Sequence, residues 1–278
     1  CQARNVLRTP LEKIRMSAAE WVTRLLLVAG PLAGCGDSSA PPNVAAPGDA
    51  TKAKTTVLET GTALLQRKQP VEALNIYMDG FHFYNGDMKA QMEAHHYCSV
   101  VNEDVYQCVI FDGNGKDAKI MGIEYIISKK LFDSLPADER RLWHSHVYEV
   151  KSGHLVAPGI PQRAEREFME KIIGTYGKTW HTWHTDQTLS LPVGHPMLMM
   201  GFTADGQADQ TMVAQRDKRL EVSSTEKRQD REGIAAPPIL PGADAWQGGD
   251  VVQLTLQPIS TGAPVVHGHE AGTGSKVQ

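Results

Sequence analysis

Glu93–Val101 reads E-A-H-H-Y-C-S-V-V, and two similar runs follow it, V-Y-Q-C-V-I-F-D (Val105–Asp112) and K-I-M-G-I-E-Y-I-I-S (Lys119–Ser128). All three are rich in β-branched and aromatic residues, and the polar stretches N-E-D and G-N-G-K between them are typical of turns. Consecutive strands joined by short turns predict an antiparallel β-meander sheet. Several helical patterns flank it, so the sequence predicts an α+β fold with a single main domain.

The meander brings reactive side chains to one face, because side chains alternate across a strand. The side chains that share this face are His96, Cys98, Cys108 and Glu124. Cys98 and Cys108 lie directly opposite each other if Asn102–Asp104 forms a three-residue loop. Such a pair is a candidate disulfide, although directly opposed positions are often strained, and the alternative is a pair of buried free thiols.

Two further histidines follow in L-W-H-S-H-V-Y-E-V-K (Leu142–Lys151), where alternation predicts a fourth strand with both imidazoles on one side. Imidazole, thiolate and carboxylate are the ligands that Zn²⁺ and similar divalent metals accept. The candidate metal ligands are His96, Cys98, Glu124, His144 and His146. The alternative is that these histidines are hydrogen-bonded structural residues of a β core.

Helices are predicted on both sides of the meander. The first has a T-x-x-E capping box at Thr56 and Glu59, and the second starts at Pro70 and extends to Met78. A short helix with Ser134 as N-cap precedes the histidine pair. After it, an amphipathic pattern over 164–176 predicts a further helix that stops at Gly177.

The stretch K-T-W-H-T-W-H-T-D (Lys178–Asp186) is β-prone and supplies three secondary site candidates: His181, His184 and Asp186. It suits a metal or sugar platform, although tryptophans on opposite strand faces more often serve packing. Leu191–Phe202 predicts a buried strand, and the charged composition of 209–231 predicts solvated helices. Beyond Pro237 the chain is rich in Gly and Pro, with strand alternation only at Val251–Leu256.

The N-terminal region has the features of a lipoprotein signal peptide. Arg24 precedes the apolar run Leu25–Leu32, and L-A-G-C (Leu32–Cys35) resembles a bacterial lipobox in which Cys35 is acylated. The alternative is a short buried helix that ends at Gly34. We therefore predict a signal peptide over 1–34 with Met16 as an alternative start, a flexible linker over 35–54, a folded domain over 55–233 and a loosely ordered tail over 234–278.

Composition excludes several classes of function. A formal net charge of −4 provides no basic excess for a nucleic-acid partner. No phosphate-binding glycine loop follows a strand, and no G-x-S-x-G nucleophile elbow is present. We therefore expect no nucleotide-dependent or serine-hydrolase chemistry, and the sequence predicts no particular oligomeric state.

Several blocks resemble the oil body-associated protein family, among them E-A-H-H-Y-C-S, G-I-E-Y-I-I-S and L-W-H-S-H-V-Y-E-V-K-S-G. The similarity covers about Thr55 to Gly233 and implies attachment to lipid surfaces, with no catalytic residues to carry over. The plant members of the family lack a lipobox, so this chain differs from them at its N-terminus. Those members also have a cysteine at the Cys108 position in a reducing compartment, which implies a fold that stands without a disulfide.

Two hypotheses follow. The first is a lipid-anchored protein of a bacterial cell envelope, facing the periplasm or the exterior, with a non-catalytic binding or structural role at a lipid surface. The second is a metal-dependent enzyme or metal-binding protein that uses the histidine, cysteine and glutamate set, with Zn²⁺ or another divalent metal as its cofactor.

Overall fold

The computed structural model describes residues 39–258, so the predicted signal peptide and Cys35 lie outside the described residues. Seven strands make one sheet. They are β1 (Ile76–Tyr84), β2 (Asp87–Asn102), β3 (Val105–Phe111), β4 (Ile120–Ser128), β5 (His144–Ser145), β6 (Thr175–His181) and β7 (Met197–Met200). The predicted α+β class is confirmed, because helices pack around this sheet.

Six of the strands close into an antiparallel barrel, a more specific arrangement than the predicted meander sheet. The hydrogen-bonded order is β4-β3-β2-β1-β7-β6, and β6 pairs back with β4 over Gly122–Ser128. The two-residue strand β5 extends the β6 edge beside β7. The local turn signals predict β2, β3 and β4 correctly, but closure depends on a pairing between strands about fifty residues apart, which short-range patterns do not report.

The pairing within the meander has the register that side-chain alternation predicts. Cys98 lies opposite Cys108, and Cys108 lies opposite Glu124. On β2, His96 and Cys98 are both buried and point into the barrel. The inward face of the meander is therefore one wall of the barrel interior.

Eight α-helices surround the barrel within the described chain. They are α1 (Ala53–Leu65), α2 (Gln69–Glu72), α3 (Lys129–Asp133), α4 (Ala137–Arg140), α5 (Val147–Ser152), α6 (Gln162–Ile172), α7 (Gln210–Leu220) and α8 (Ser224–Asp230). Two short 3₁₀ segments lie at Thr185–Gln187 and Ala245–Gly248. Helix α6 buries Met169 and Ile172 in the largest apolar cluster, which also includes Met78 and Ile126 of the barrel.

The predicted fourth strand is wrong beyond Ser145, because α5 begins at Val147 and His146 is its N-cap residue. Asp244 holds the chain at this point. Its carboxylate accepts hydrogen bonds from the Ser145 backbone N–H at 2.9 Å and from the Ser145 hydroxyl at 2.6 Å. This partner lies 99 residues away in sequence, so the local alternation gave no sign of the change from strand to helix.

Four predicted helix boundaries are also wrong. The second helix ends at Glu72, and Met78 belongs to β1. The predicted helix over 164–176 ends at Ile172, because residues 175–181 are recruited into the barrel as β6. Thr56 lies inside α1, whose N-cap residue is Lys52, and Ser134 caps the end of α3 instead of starting a helix.

The charged region over 209–231 is helical as predicted, but it is not simply solvated. Arg216 of α7 is fully buried and donates to Asp79 Oδ1 at 2.7 Å. Arg231, just after α8, is also fully buried and donates to Glu165 Oε1 at 3.0 Å. Two buried ion pairs therefore fasten these helices to the rest of the fold.

Both ends of the described chain contact the barrel. In the predicted linker, the Asn43 backbone N–H donates to Asp112 Oδ2 at 2.9 Å. At the other end, Gln253 Nε2 donates to the Leu198 carbonyl at 2.9 Å, and Val251–Leu256 does not form the predicted strand. Among the helices of residues 39–258, none has the length and apolar character needed to cross a membrane.

A candidate metal centre inside the barrel

The barrel interior contains a cluster of histidines and carboxylates, which we call the His/Glu centre. Strands supply His82, His96, Glu124 and His181, and the β5–α5 segment supplies His144, His146 and Glu149. Each of these seven residues is at most 4% exposed. Alternation along β1, β2, β4 and β6 turns the four strand residues inward, because their neighbours face outward.

Glu124 lies at the middle of the centre and contacts imidazoles through both carboxylate oxygens. Its Oε2 lies 2.8 Å from His96 Nε2, which is a hydrogen-bond distance. Its Oε1 lies 3.3 Å from His146 Nε2 and 3.4 Å from His144 Nε2. One carboxylate therefore joins residues from three separate parts of the chain.

The remaining members lie around this carboxylate. His82 Nε2 is 4.0 Å from Glu124 Oε2, and Glu149 Oε2 is 3.8 Å from His146 Nε2. The His181 ring centre lies 5.6 Å from that of His82. Ligand atoms of His82, Glu124 and His144 all lie within 4.8 Å of one another, as do those of His144, His146 and Glu149.

Several nitrogens of the centre have no hydrogen-bond partner among the described residues. They are Nδ1 of His82 and both ring nitrogens of His144 and His181. Buried polar atoms nearly always have a partner in a folded protein, whether protein, water or ion. Unpartnered, buried imidazole nitrogens beside a carboxylate are the kinds of atom that a transition-metal ion binds.

The space between these side chains is very small. A cavity of about 10 Å³ lies among His82, His96, Glu124, His146 and Glu149, and Met78, Gly80, Ile126 and Leu155 complete its wall. A volume of this size accommodates about one water-sized particle. The centre as it stands can hold an ion or a water molecule, but no organic substrate.

Two glycines create the room that the centre needs. A Cβ atom on Gly177 of β6 would lie 2.1 Å from Glu124 Oε1 and 2.7 Å from His144 Nε2. A Cβ on Gly201 would lie 2.8 Å from Glu149 Oε1. Any other residue at these positions would displace the carboxylates, so the barrel wall is shaped around the centre.

The electrostatics of the centre divide its histidines into two kinds and hold Glu124 ionised. Burial alone would raise the pKa of Glu124, but the surrounding imidazoles outweigh this effect and hold its pKa well below the usual value. Burial lowers the pKa of His181 to about 3 and also lowers that of His82. Glu124 is therefore ionised and these two imidazoles are neutral, whereas the neighbouring Glu124 carboxylate outweighs burial and raises the pKa of His144 to about 9. A metal ion bound by His144 would therefore displace a proton.

Four of the five predicted metal ligands come together in the structure: His96, Glu124, His144 and His146. Cys98 does not join them, because it forms a disulfide with Cys108 on the same barrel wall. His82 and Glu149 also belong to the centre, and the sequence patterns did not indicate them as site residues. His82 lies between Phe81 and Phe83 in β1, a pattern that favours phenylalanines toward the core and an outward histidine, so local alternation gave no sign of its position.

The secondary candidates divide into two groups. His181 belongs to the centre, whereas His184 and Asp186 lie beyond the end of β6. The Tyr84 hydroxyl donates to Asp186 Oδ1 at 2.7 Å and lies 3.1 Å from His184 Nδ1. The predicted strand over Lys178–Asp186 is therefore wrong after His181, and these two residues form a separate hydrogen-bonded group.

A second cluster, Asp79, Glu93 and His95, lies on the outer face of the barrel. Its charges already have partners, because Arg216 pairs with Asp79 and Arg219 pairs with Glu93. Two guanidinium groups at this position would repel a cation. This cluster is a buried ion-pair network that joins α7 to the barrel, and it is not a candidate metal site.

Comparisons with known proteins agree with the resemblance seen in the sequence. The family described as "Protein of unknown function (DUF1264)" matches residues 68–235. Oil body-associated protein 1B of Arabidopsis thaliana is 40% identical over 222 residues, covering 80% of this chain and 92% of the relative. Oil body-associated protein 1A of Zea mays is 44% identical over 195 residues, covering 70% of this chain and 82% of the relative. No solved structure matches the chain. The chain therefore belongs to the oil body-associated protein family.

Proposed function

We propose that this protein binds a divalent transition-metal ion in its His/Glu centre. The observation that carries this proposal is the set of buried, unpartnered imidazole nitrogens around the ionised Glu124 carboxylate. A donor set rich in imidazole favours Zn²⁺, Cu²⁺, Ni²⁺ or Fe²⁺ over Mg²⁺ or Ca²⁺, which prefer oxygen ligands.

The spacing of the rings supports this class of ion. A Zn–N bond of about 2.0–2.1 Å puts two imidazole ring centres about 5 Å apart when both bind one tetrahedral ion. The ring centres of His82 and His96 are 5.0 Å apart, and those of His144 and His146 are 5.2 Å apart. The imidazoles already have the separations that binding requires.

The closed cavity supports a structural or storage role over catalysis. A catalytic metal keeps a position open for substrate, whereas a structural metal is surrounded by protein ligands. The centre is almost completely buried and its cavity is too small for an organic substrate, so the proposed role is non-catalytic.

Metal analysis of the purified, tag-free chain by plasma mass spectrometry tests this function. We expect at least one transition-metal ion per chain in the wild type, and less metal per chain in His144→Ala and His146→Ala than in the wild type. The matched control is His195→Ala, which lies outside the centre and should retain metal. A wild-type protein that stays metal-free after incubation with Zn²⁺, Cu²⁺, Ni²⁺ and Fe²⁺ would overturn the proposal.

A second proposed function is attachment to a lipid surface. It is supported by the relatives that are named oil body-associated proteins and by helix α1, which buries none of its residues. Val57, Leu58, Leu64 and Leu65 of this helix are between 59% and 86% exposed. A helix that exposes several large apolar side chains suits insertion between lipid head groups.

Flotation with phospholipid-coated triacylglycerol droplets tests this attachment. We expect Leu65→Asp to reduce droplet binding severalfold, because it removes apolar area from α1. Thr62→Asp is the matched control, since it adds the same charge to an exposed polar position of the same helix. Equal binding by both variants would contradict a role for the apolar residues of α1.

We also propose that acylated Cys35 anchors the protein in a bacterial cell envelope. The lipobox-like L-A-G-C sequence supports this, and two lipid chains are enough for stable attachment. We expect the protein to fractionate with membranes, Cys35→Ser to release it, and Ser38→Ala to leave it bound. Recovery of the wild-type protein with an intact peptide bond between residues 34 and 35 would rule the anchor out.

A further inference from the structure

The His/Glu centre has more metal-binding side chains than one ion uses. It consists of five histidines and two glutamates, whereas a zinc-type ion takes four ligands. One ion would satisfy only part of this set. Unpartnered nitrogens of His82, His144 or His181 would remain around it, and folded proteins rarely tolerate buried polar atoms without partners.

The centre divides into two groups, one for each oxygen of Glu124. Oε2 lies 2.8 Å from His96 Nε2 and 4.0 Å from His82 Nε2. Oε1 lies 3.3 Å from His146 Nε2 and 3.4 Å from His144 Nε2. The carboxylate therefore faces a different pair of imidazoles on each side.

Each group also has a third member. Beside His82 it is His181, which is 0% exposed, lies 5.6 Å from His82 between ring centres, and has no partner for either nitrogen among the described residues. On the Oε1 side it is Glu149, whose Oε2 lies 3.8 Å from His146 Nε2. With the shared carboxylate, each group supplies four ligands.

We propose that the centre holds two divalent transition-metal ions bridged by the Glu124 carboxylate. His82, His96 and His181 bind one ion, and His144, His146 and Glu149 bind the other. This inference rests on the proposed metal-binding function and adds the number and arrangement of the ions. Bridged two-metal sites have ions about 3.5–4 Å apart, which matches two sites on opposite oxygens of one carboxylate.

The position of the small cavity fits a bridging solvent molecule. The cavity is lined by His82 and His96 of the first group and by His146 and Glu149 of the second, with Glu124 between them. A hydroxide there would contact both ions. It would also help to balance their charge, together with Glu124, Glu149 and the buried Asp244 beside His144.

The stoichiometry of a metal titration tests the two-ion centre. The metal-free, tag-free protein is titrated with Co²⁺, and bound ions per chain are counted by mass spectrometry and by the absorption of the bound Co²⁺. We expect two ions in the wild type, and one each in His181→Asn and His146→Asn. His154→Asn, a buried histidine outside the centre, is the matched control and should retain two.

The outcomes separate this inference from the function on which it rests. One ion in the wild type, retained by His181→Asn, would overturn the two-ion centre and leave the metal-binding function standing. No ion in the wild type would overturn both. If both His181→Asn and His146→Asn retained two ions, the metal would be bound by other residues, and the assignment of these histidines as ligands would be wrong.

Electron paramagnetic resonance of the wild type gives a test that needs no variant. With two Cu²⁺ ions bound, a carboxylate bridge couples their unpaired electrons, so we expect the isolated-ion signal to be weak and a coupled-pair signal to appear. A full-intensity signal from two independent Cu²⁺ ions would contradict the bridge, even if the variants failed to fold.

Discussion

His154 shows how burial sets the behaviour of a single side chain. It is 7% exposed, its ring packs edge-on against Phe81 and Tyr148, and its Nδ1 has no partner among the described residues. Burial, together with the nearby Arg216 guanidinium, lowers its pKa to about 4. His154 is therefore neutral in the folded protein at neutral pH.

This shift predicts a pH dependence of stability. The unfolded chain takes up a proton at a pKa near 6.5, so His154 reduces the free energy of unfolding as the pH falls from about 6.5 to 4. At the lower end of this pH range, His154 has reduced the free energy of unfolding by about 3 kcal/mol. We expect His154→Phe to lose less stability than the wild type between pH 7 and pH 4, measured by urea unfolding. Parallel curves for the two proteins would contradict this account.

Arg216 illustrates the cost of an unpaired buried charge. Its guanidinium and the Asp79 carboxylate are both fully buried, and they are 2.7 Å apart. Removing one partner of such a pair typically costs about 3–5 kcal/mol, because the other charge stays buried.

We therefore expect Arg216→Met to reduce the free energy of unfolding by about that amount in chemical denaturation. The matched control is Arg163→Met, since Arg163 is 91% exposed and pairs only with Glu167 on the helix surface. The control should change stability by less than about 1 kcal/mol. Equal losses of unfolding free energy in the two variants would show that burial of the Arg216–Asp79 pair does not determine its contribution to stability.

At the scale of elements, the β2–β3 hairpin is joined both by the Cys98–Cys108 disulfide and by a ladder of antiparallel backbone pairing along the strands. The ladder runs from His95 opposite Phe111 to Val100 opposite Tyr106. In the chain-entropy model, a disulfide between cysteines 10 residues apart stabilises the folded state by roughly 2–3 kcal/mol. The ladder and the barrel core stabilise the hairpin independently of the bond.

We therefore expect Cys98→Ser to fold and to lose at most about 2–3 kcal/mol, measured by guanidinium unfolding under oxidising conditions. In reducing buffer the wild type and the variant should have similar midpoints. Counting thiols in the denatured wild-type protein gives the redox state. Failure of Cys98→Ser to fold would show that the bond, and not the ladder, holds the hairpin.

The elements that the sequence predicts well are those fixed by nearby residues. The β2, β3 and β4 strands and their register follow from alternation and from turn residues a few positions away. The change from strand to helix at His146 was not predicted, because the end of β5 at Ser145 is held by hydrogen bonds to Asp244, which is distant in sequence. Likewise, Thr175–Gly177 continue a helical pattern in sequence, but β4 recruits them into the barrel.

At the scale of the whole molecule, closure of the barrel determines the composition of the centre. Alternation alone placed His96 and Glu124 on one face, but His82 and His181 join them only because β1 and β6 belong to the same closed sheet. Glu149 joins because α5 turns back toward the barrel. About half of the centre is therefore accessible to local sequence patterns, and the remainder depends on contacts between distant segments.

The central claim is that the barrel interior is a metal centre organised by Glu124. Anomalous X-ray diffraction from a crystal soaked in Zn²⁺, measured on both sides of the zinc absorption edge, tests it most directly. We predict anomalous peaks inside the barrel, within about 2.2 Å of Glu124 and of imidazole nitrogens of His96 or His144. Zinc peaks only on the outer face, at Asp79, Glu93 and His95, or no ordered zinc at all, would contradict it.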